Sequence, residues 1–285
     1  MTRGTLAKKR KVMVMINGLP GNMATKILEH IKDADKEKYP FSLFNFALTG
    51  PEINLKQFNI DRFEINLFKP DEKDKLLERM IWDKEYKLIA VDASHPSAIE
   101  ANAEFYCAHR IPFVMLTTGG DLKRLTDLVD ATRNCAVIAP NMAKQIVAFQ
   151  WMFELAAKNS PNVFKDYTLE IVESHQKGKA DTSGTAKAMV SIFNTLGIPF
   201  AKEQIVMIRD TEAQEYLGVP EEALEGHGWH TYTLRSPDKS ILFRFTHNVN
   251  GRDIYALGTL DAIGFLAKKI RPGVVYSMKD VLKGS

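Results

Sequence analysis

The sequence predicts an α/β fold in its first half, built on a parallel sheet with helices on both faces, and an α+β domain in its second half. Three observations carry this prediction. Short, continuous apolar runs alternate with helical patterns as far as residue 158. A glycine-rich turn directly follows the first apolar run, and period-two alternation dominates the later segments. With 285 residues, of which 45% are hydrophobic and 26% charged, the chain is typical of a soluble globular protein of one or two domains.

Each apolar run in the first half is short enough for a strand that is buried on both faces. Strands are predicted at 12–16, 41–48, 63–68, 88–92, 112–116 and 135–139. Helices are predicted at 25–35, 72–80, 98–109, 121–132 and 142–158. Strands that alternate with helices in this way form parallel sheets, because each crossover helix returns the chain to the same edge.

The second half changes its pattern at about residue 167. Apolar and polar residues alternate at 167–173, 204–209, 229–234 and 241–247, and a helix is predicted at 184–196. This pattern is typical of an open, mixed sheet with one covered face. A last long helix is predicted at 257–268.

Composition excludes several function classes. The 38 basic and 35 acidic residues give a net charge of +3, too balanced to indicate a nucleic-acid partner, and the basic run at 8–11 is interpreted as a solvated leader. No apolar run approaches the ~20 residues that span a membrane. The two cysteines, Cys107 and Cys135, are too few for a disulfide framework, and we predict that both are reduced and buried. A cytoplasmic location follows, or the plastid stroma if a transit peptide has been trimmed.

The turn after the first strand has the spacing G-x-x-G-x-x-A, with Gly18, Gly21 and Ala24. Glycines let the backbone approach a pyrophosphate, and a helix N-terminus offers N–H groups and a favourable dipole. A plain strand–turn–helix is the alternative, but the strands that follow at regular intervals favour a Rossmann-like dinucleotide site.

Such a site lies at the carboxyl ends of the parallel strands, where hydroxyl-bearing residues occur in this sequence. Ser94 and His95 follow one predicted strand, and Thr117 and Thr118 follow the next. The second strand ends at 47–50 without an acid that would repel the 2′-phosphate of NADP. We therefore expect NADPH as the cofactor, with NADH possible.

The densest polar segment, at 173–186, runs into the helix predicted at 184–196. Ser183, Gly184 and Thr185 stand at the helix start, where N–H groups can hold a carboxylate. Lys179 supplies a cation, and His175 titrates near neutral pH. Together they form a receptor for a small anionic substrate; a solvated loop with a capping hydroxyl is the alternative. His95 and His247 are less specific, and no spacing resembles a zinc site.

The run E-S-H-Q-x-x-K-x-D-T-S-G-T-A at 173–186 resembles the signature of the dihydrodipicolinate reductase family, in particular its plant-type branch. Further segments at 18–23, 117–119, 139–142, 246–252 and 278–282, with Gly258, match other blocks of the family, so the resemblance covers nearly the whole chain. It implies NAD(P)H-dependent reduction of 4-hydroxy-tetrahydrodipicolinate to tetrahydrodipicolinate in the diaminopimelate pathway of lysine biosynthesis. It also implies a homotetramer that acts on a small dicarboxylate, with no nucleic-acid or membrane partner and no metal.

The resemblance assigns roles to individual residues. His175 is implied as the general acid and Lys179 as a proton donor or carboxylate ligand, and Gln176, Ser183, Gly184 and Thr185 are implied to bind substrate. The implied cofactor-binding residues are Gly18, Gly21, Asn22, Met23, Ser94, Leu116, Thr117, Thr118, Pro140, Met142 and Arg252. A dinucleotide-binding domain is implied at 1–143, completed by 254–285, with a substrate-binding and oligomerisation domain at 144–253.

Three residues depart from the family pattern. Asn22 stands where the family commonly has arginine, Leu116 where it commonly has glycine, and Ala24 replaces the third glycine of the turn. These departures concern the cofactor more than the substrate. Two alternative hypotheses stay open on the sequence: a related NAD(P)-dependent oxidoreductase that acts on another small carboxylate, and a catalytically weak dinucleotide-binding sensor or scaffold.

Overall fold

The structure is a computed structural model, which describes residues 11–80 and 86–284. Most of the predicted basic leader, residues 8–10, lies outside the described residues. The chain divides into two compact units. The first contains the residues up to Met142 together with those from Ala256 onward, and the second is Ala143–Tyr255.

The strands and helices follow the predicted order, with additional short elements. The strands are β1 (Lys11–Asn17), β2 (Phe41–Leu43), β3 (Phe46–Leu48), β4 (Gln57–Ile60), β5 (Phe63–Phe68), β6 (Tyr86–Asp92), β7 (Phe113–Met115), β8 (Cys135–Ile138), β9 (Thr168–His175), β10 (Val206–Ile208), β11 (His227–Arg235), β12 (Leu242–Asn250) and β13 (Val274–Tyr276). The helices are α1 (Asn22–Asp33), α2 (Lys73–Arg79), α3 (Ile99–Ala108), α4 (Leu122–Ala131), α5 (Lys144–Asn159), α6 (Gly184–Thr195), α7 (Thr211–Tyr216), α8 (Asp253–Lys269) and α9 (Met278–Gly284).

The first unit is built on a six-stranded sheet in the order β13-β8-β7-β6-β1-β2, and all of its neighbouring pairs are parallel. This confirms the predicted parallel α/β sheet. The chain moves from β1 to β2 on one side and later returns to β6 on the other side of β1. The strand order therefore reverses between β1 and β6, and the carboxyl ends of these two strands form the crevice where such sheets bind ligands.

The predicted strand at 41–48 is two strands that belong to different sheets. Strand β2 pairs with β1, whereas β3 joins β5 and β4 in a separate three-stranded sheet. The sequence did not show the break, because Phe44, between the two strands, is apolar and packs against the same core cluster as Phe46 and Leu48 of β3. Strands β4 and β13 and helix α7 are short elements that the sequence analysis did not predict.

The second unit is built on a four-stranded sheet in the order β10-β9-β11-β12. Strand β10 is parallel to β9 and the other pairs are antiparallel, which confirms the predicted mixed sheet. Alternation along β11 sends Tyr232 and Leu234 into a core with Met189 and Phe193 of α6. The opposite face carries Thr231 and Thr233 and has a groove across it.

Two smaller predictions can be compared with the structure. Cys107 and Cys135 are both buried and unpaired with each other, as predicted. In the described part of the chain, no helix is long and apolar enough to cross a membrane.

Candidate active site

The glycine-rich turn is shaped by close contacts of its backbone. Gly18 directly follows β1 with φ of +101°, and a Cβ atom there would lie 2.3 Å from the carbonyl oxygen of Ala93. A Cβ at Gly21 would lie 2.8 Å from the carbonyl oxygen of Gly18. Both positions therefore require glycine, as the predicted phosphate loop does.

Helix α1 begins directly after this turn and can receive an anion. No side chain of the described residues caps its first turn, and that turn contains no acidic residue. The first N–H groups of a helix lack partners inside the helix, and the dipole favours negative charge at this end. The turn thus fits the pyrophosphate of a dinucleotide.

Five of the predicted cofactor-binding residues share one pocket with Ala93 and Pro96. They are Met23, Ser94, Leu116, Thr117 and Thr118. The pocket lies at the N-terminal end of α1 and the carboxyl ends of β6 and β7, next to the point where the strand order reverses. Thr118 is exposed, whereas Ser94, Leu116 and Thr117 are half-buried.

The other predicted cofactor-binding residues lie elsewhere. Asn22 is exposed at the start of α1, and Pro140 is exposed after β8. Met142 is 2% exposed, and its carbonyl oxygen packs against Gly258, where a Cβ would lie only 1.7 Å away. Arg252 belongs to the second unit, where its guanidinium group lies beside Gly226.

A buried carboxylate that the sequence analysis treated only as a strand end holds this pocket together. Asp92 is fully buried at the end of β6. It accepts hydrogen bonds from the hydroxyls of Ser94 at 2.6 Å and Thr117 at 2.7 Å, and from Asn102 and Tyr106 on α3. Asp92 therefore fixes two of the predicted cofactor-binding side chains.

A second acid, Glu52, lies close to residues 47–50, on which the NADPH prediction rests. A Cβ at Gly50 would lie 2.3 Å from Oε1 of Glu52, so the Glu52 carboxylate folds over Gly50. The expectation of NADPH rests on residues 47–50, which contain no acid. The turn brings the Glu52 side chain back over Gly50, and the order of residues in the sequence does not predict this.

In the second unit, His175 ends β9 with its ring fixed in one orientation. Its Nδ1 atom lies 2.9 Å from the carbonyl oxygen of His227. Only a protonated Nδ1 can donate to a carbonyl, so the lone pair of the neutral ring is on Nε2. The Nε2 atom is buried and has no hydrogen-bond partner among the described residues. Nε2 is thus the ring atom whose lone pair is left to take up a proton.

Burial and, to a smaller extent, the neighbouring His230 together lower the pKa of His175 to about 4, while Glu173 opposes the shift. The sequence analysis expected titration near neutral pH. The difference arises because the ring packs against other imidazoles instead of lying in a solvated loop. The His175 and His230 ring centroids are 5.2 Å apart, and His230 stacks on His247 at 4.7 Å.

This row of rings was not foreseen from the sequence, because its members come from three strands. In the sheet register, His230 pairs with Glu173 of β9 on one side and with His247 of β12 on the other. Period-two alternation puts the side chains of Glu173, His230 and His247 on the helix-covered face of the sheet. Burial lowers the pKa of His247 to about 3, so this ring is neutral at physiological pH.

Glu173 is the fully buried centre of a polar network. It accepts hydrogen bonds from the Ser183 N–H at 3.0 Å and from Nη2 of Arg209, and His230 Nε2 lies 3.7 Å away. Burial alone would raise the pKa of the Glu173 carboxyl, but the His230, Arg209 and Ser183 groups outweigh it and hold the pKa well below its usual range. Glu173 is therefore ionised in the folded protein.

Lys179 is held by the acid that follows it in the signature. Its Nζ atom lies 2.6 Å from Oδ1 of Asp181, and this contact lowers the pKa of the Asp181 carboxyl. The Asp181 side chain is 70% exposed and that of Lys179 only 23%. A substrate carboxylate that binds Lys179 would have to compete with Asp181.

The predicted carboxylate-binding residues divide into occupied and accessible groups. Ser183 caps α6 by accepting from the Ala186 N–H at 3.0 Å, its hydroxyl contacts His230 Nε2, and its own N–H donates to Glu173. Gly184 is exposed, and a Cβ there would meet nothing within 4 Å. Thr185 follows it in the first turn of α6, half-buried. The accessible part of the helix terminus therefore begins at Gly184.

Gln176 directly follows His175 and is half-buried. Its carbonyl oxygen accepts from the Lys179 N–H at 3.0 Å, which closes the turn between the two predicted catalytic residues. His95, the less specific candidate, is an exposed residue that accepts from the Ser97 N–H.

Glu173, His175 and His230 offer donor atoms within 4.8 Å of one another, close enough to hold a metal ion. The donor set does not fit one. The carboxylate is already neutralised by Arg209 and the Ser183 N–H, and His230 Nε2 is engaged by Ser183. Glu173 and His230 instead belong to a hydrogen-bond network with Ser183 and Arg209, and His175 lies beside this network.

Family models and curated relatives match this chain over nearly its whole length. Residues 12–142 match the family model "Dihydrodipicolinate reductase, N-terminus" and residues 146–282 match "Dihydrodipicolinate reductase, C-terminus". The chain is 42% identical over 276 residues to the chloroplastic 4-hydroxy-tetrahydrodipicolinate reductase 1 of Arabidopsis thaliana, covering 95% of this chain and 78% of that protein. It is 39% identical over 274 residues to a probable chloroplastic enzyme of the same name from Oryza sativa, covering 95% and 82%.

A solved structure shows the same fold. It is a dipicolinate-bound dihydrodipicolinate reductase from Paenisporosarcina, which matches with a TM-score of 0.63 at 18% identity and covers 95% of this chain and 98% of its own. The two family models between them match nearly the whole sequence. The chain therefore belongs to the dihydrodipicolinate reductase family.

Proposed function

We propose that the protein reduces 4-hydroxy-tetrahydrodipicolinate to tetrahydrodipicolinate with NAD(P)H, in the diaminopimelate pathway of lysine biosynthesis. Membership in the family carries this proposal. The site supports it, because the signature segment contains a histidine with an unpartnered Nε2, a lysine and an accessible helix N-terminus. These groups are of the kinds that a small dicarboxylate needs.

The bound dinucleotide supplies the hydride, and the residues of this chain bind, orient and protonate the substrate. Lys179 and the N–H groups of Gly184 and Thr185 hold the two carboxylates. The substrate loses its 4-hydroxyl group as water, which leaves an unsaturated ring that takes up the hydride. His175 donates a proton from Nε2 to neutralise the negative charge that hydride addition leaves on this ring. His175 is neutral at pH 7 in the free protein, so it must first take up a proton. A bound dianion favours that step, because an opposite charge nearby raises the pKa of an imidazole.

We assign the two halves of the reaction to the two units. The first unit, with the glycine turn and the pocket beside it, binds the dinucleotide. The second unit, with residues 173–186, binds the substrate. The family assignments of catalytic, substrate-binding and cofactor-binding residues given above are part of this proposal.

NADPH is the preferred reductant in this proposal, and NADH also serves. The absence of an acid at 47–50 supports NADPH, while the Glu52 carboxylate over Gly50 opposes a 2′-phosphate. The two effects act against each other, so we expect a modest preference. Glu52→Gln should increase the ratio of kcat/KM for NADPH to that for NADH. An unchanged ratio would show that Glu52 takes no part in cofactor choice.

The open face of the second unit's sheet supports self-association, and the family resemblance extends this proposal to a homotetramer. Its groove is lined by both apolar and polar residues, including Val172, Leu217, Trp229, Thr231 and Arg244. Two copies of such a face can stack as sheets with interdigitating side chains. Light scattering coupled to gel filtration would test this, and Thr231→Arg should lower the measured mass. A parent protein with the mass of a monomer or a dimer would refute the homotetramer.

We place the reaction in the cytoplasm, or in the plastid stroma where a longer precursor carries a transit peptide. Two buried, unpaired cysteines are usual in a reducing compartment. Imaging of the native gene product fused to a fluorescent protein would separate the two locations.

The proposed reaction is tested by following the oxidation of NADPH, and separately of NADH, by loss of near-ultraviolet absorbance. A coupled synthase would generate the substrate in situ from pyruvate and aspartate semialdehyde. The expected result is substrate-dependent oxidation with both cofactors. Dinucleotide binding without oxidation would favour another carboxylate substrate or a sensor role.

A further inference from the structure

We propose that Arg209 and Gln214 are positioning residues that hold the segment His175–Asp181 in its reactive conformation through its main-chain carbonyls. This inference rests on the proposed function. Neither residue lies in the family signature at 173–186. Both lie in the short stretch from the end of β10 through α7, which the sequence analysis did not predict to be helical.

The guanidinium group of Arg209 contacts two main-chain carbonyls of the segment. Its Nε donates to the carbonyl oxygen of Lys179 at 2.8 Å, and its Nη2 lies 3.3 Å from that of Asp181. The same Nη2 donates to Oε1 of Glu173. One planar group thus ties the backbone of the predicted carboxylate-binding lysine to a fully buried anion.

Gln214 holds a main-chain carbonyl at the other end of the segment, that of His175. Its side chain is only 1% exposed, and its Nε2 donates to the carbonyl oxygen of His175 at 2.7 Å. It also lies 3.4 Å from the carbonyl oxygen of Ile208, at the end of β10. Asp210 caps α7 by accepting from the Ala213 N–H, which fixes the helix that carries Gln214.

Together the two side chains fix three carbonyls, those of His175, Lys179 and Asp181. The middle of the segment is open, since residues 177 and 178 are exposed and a Cβ at Gly178 would meet nothing within 4 Å. A lysine at 209 would keep the charge beside Glu173 but lacks the rigid fork that spans the two carbonyls. Misplacement of a reacting group by ~1 Å costs on the order of 10²-fold in rate.

The variants must distinguish a positioning role of Arg209 and Gln214 from a purely structural one. Loss of the partner of a buried charge destabilises a protein strongly, so Arg209→Ala alone is ambiguous. Arg209→Lys keeps the pairing with Glu173, and Gln214→Met keeps the volume while removing the donor. Arg235→Lys, on an exposed arginine at the end of β11, is the matched control.

The test compares wild type, Arg209→Lys, Gln214→Met and the control by substrate kinetics, NADPH affinity and hydrogen exchange of residues 176–182. We expect kcat/KM for substrate to fall roughly 10- to 100-fold in both variants, with exchange of this segment accelerated. NADPH affinity and the exchange of β9 and β11 should match the control. In Arg209→Ala, added guanidinium ion should restore part of the activity, and equal sodium chloride should not.

Two results would overturn the proposal. One is unchanged hydrogen exchange of residues 176–182 in both variants, and the other is a loss of activity that a loss of NADPH affinity fully accounts for. If the wild type does not turn over, the proposed function fails. Faster exchange with weaker binding of dipicolinate, used as the probe, would then still establish the positioning role.

Discussion

The Nδ1–H of His175 is committed to the carbonyl oxygen of His227, 2.9 Å away, which leaves Nε2 as the ring's one exchangeable position. The neighbouring Gly228 makes this orientation possible. A Cβ there would lie 3.0 Å from Cε1 of His175, too close for the ring to stay where it is. Backbone geometry on β11 therefore sets the direction in which Nε2 of His175 points.

His175→Gln should lower kcat by roughly 10²–10⁴-fold and leave the affinity for NADPH unchanged, because only the proton donor is removed. Steady-state NADPH oxidation and a separate binding titration would measure both. His109→Ala, in the first unit, serves as the control. Turnover at the wild-type level in His175→Gln would rule out the acid role.

Asp181→Asn should lower the KM for substrate. The Asp181 carboxylate lies 2.6 Å from Nζ of Lys179 and competes with the substrate carboxylate for it. An exposed ion pair of this kind is worth about 0.2–1 kcal/mol, so the expected gain is at most roughly fivefold. Asp127→Asn, which breaks the similar Lys123–Asp127 pair on α4, should leave KM unchanged. A higher KM in Asp181→Asn would mean that Asp181 itself helps to bind substrate.

Binding of a dicarboxylate at pH 7 should be accompanied by proton uptake. Burial holds the pKa of His175 at about 4 in the free protein, and a bound dianion raises it. Calorimetry with dipicolinate in two buffers of different ionisation enthalpy measures the protons exchanged. The uptake should disappear in His175→Gln. Identical binding enthalpies in both buffers for the wild type would argue against this coupling.

The second unit should lose stability as the pH falls below 6.5. Burial lowers the pKa of His175 to about 4 and of His247 to about 3, from 6.5. Between these values the unfolded chain binds protons that the native state does not, so the free energy of unfolding falls by up to ~1.4 kcal/mol per pH unit for each histidine.

His247→Phe should flatten this dependence, because it replaces a titrating ring with a neutral one among the rings of Phe149 and Tyr232. Melting temperatures recorded from pH 4 to pH 8 for both proteins would check it. Parallel curves for the variant and the wild type would refute the assignment to His247.

Much of the fold and part of the site were predictable from local pattern. The parallel sheet follows from apolar runs between helices, and the two glycines of the turn follow from their place after β1. The placement of Ser94, Leu116, Thr117 and Thr118 around one pocket follows from strand ends that meet at one edge of a sheet.

What the sequence could not predict depends on pairing across strands. Glu173, His230 and His247 become neighbours only through the register of β9, β11 and β12, and a shift of one residue would move each to the other face. The low pKa of His175 has the same origin, because the sequence does not show which rings will surround it. Arg209 lies 36 positions from Glu173, and no local pattern links them.

The most direct test of the account is to follow a deuterium atom from the reduced nicotinamide of NADPH into the product. The enzyme would be given substrate generated in situ and NADPH labelled on one face of the nicotinamide ring, then on the other, and the product mass would be measured. The account predicts tetrahydrodipicolinate that is one mass unit heavier with one of the two labels. Unlabelled product with both, or no product while the dinucleotide still binds, would contradict it.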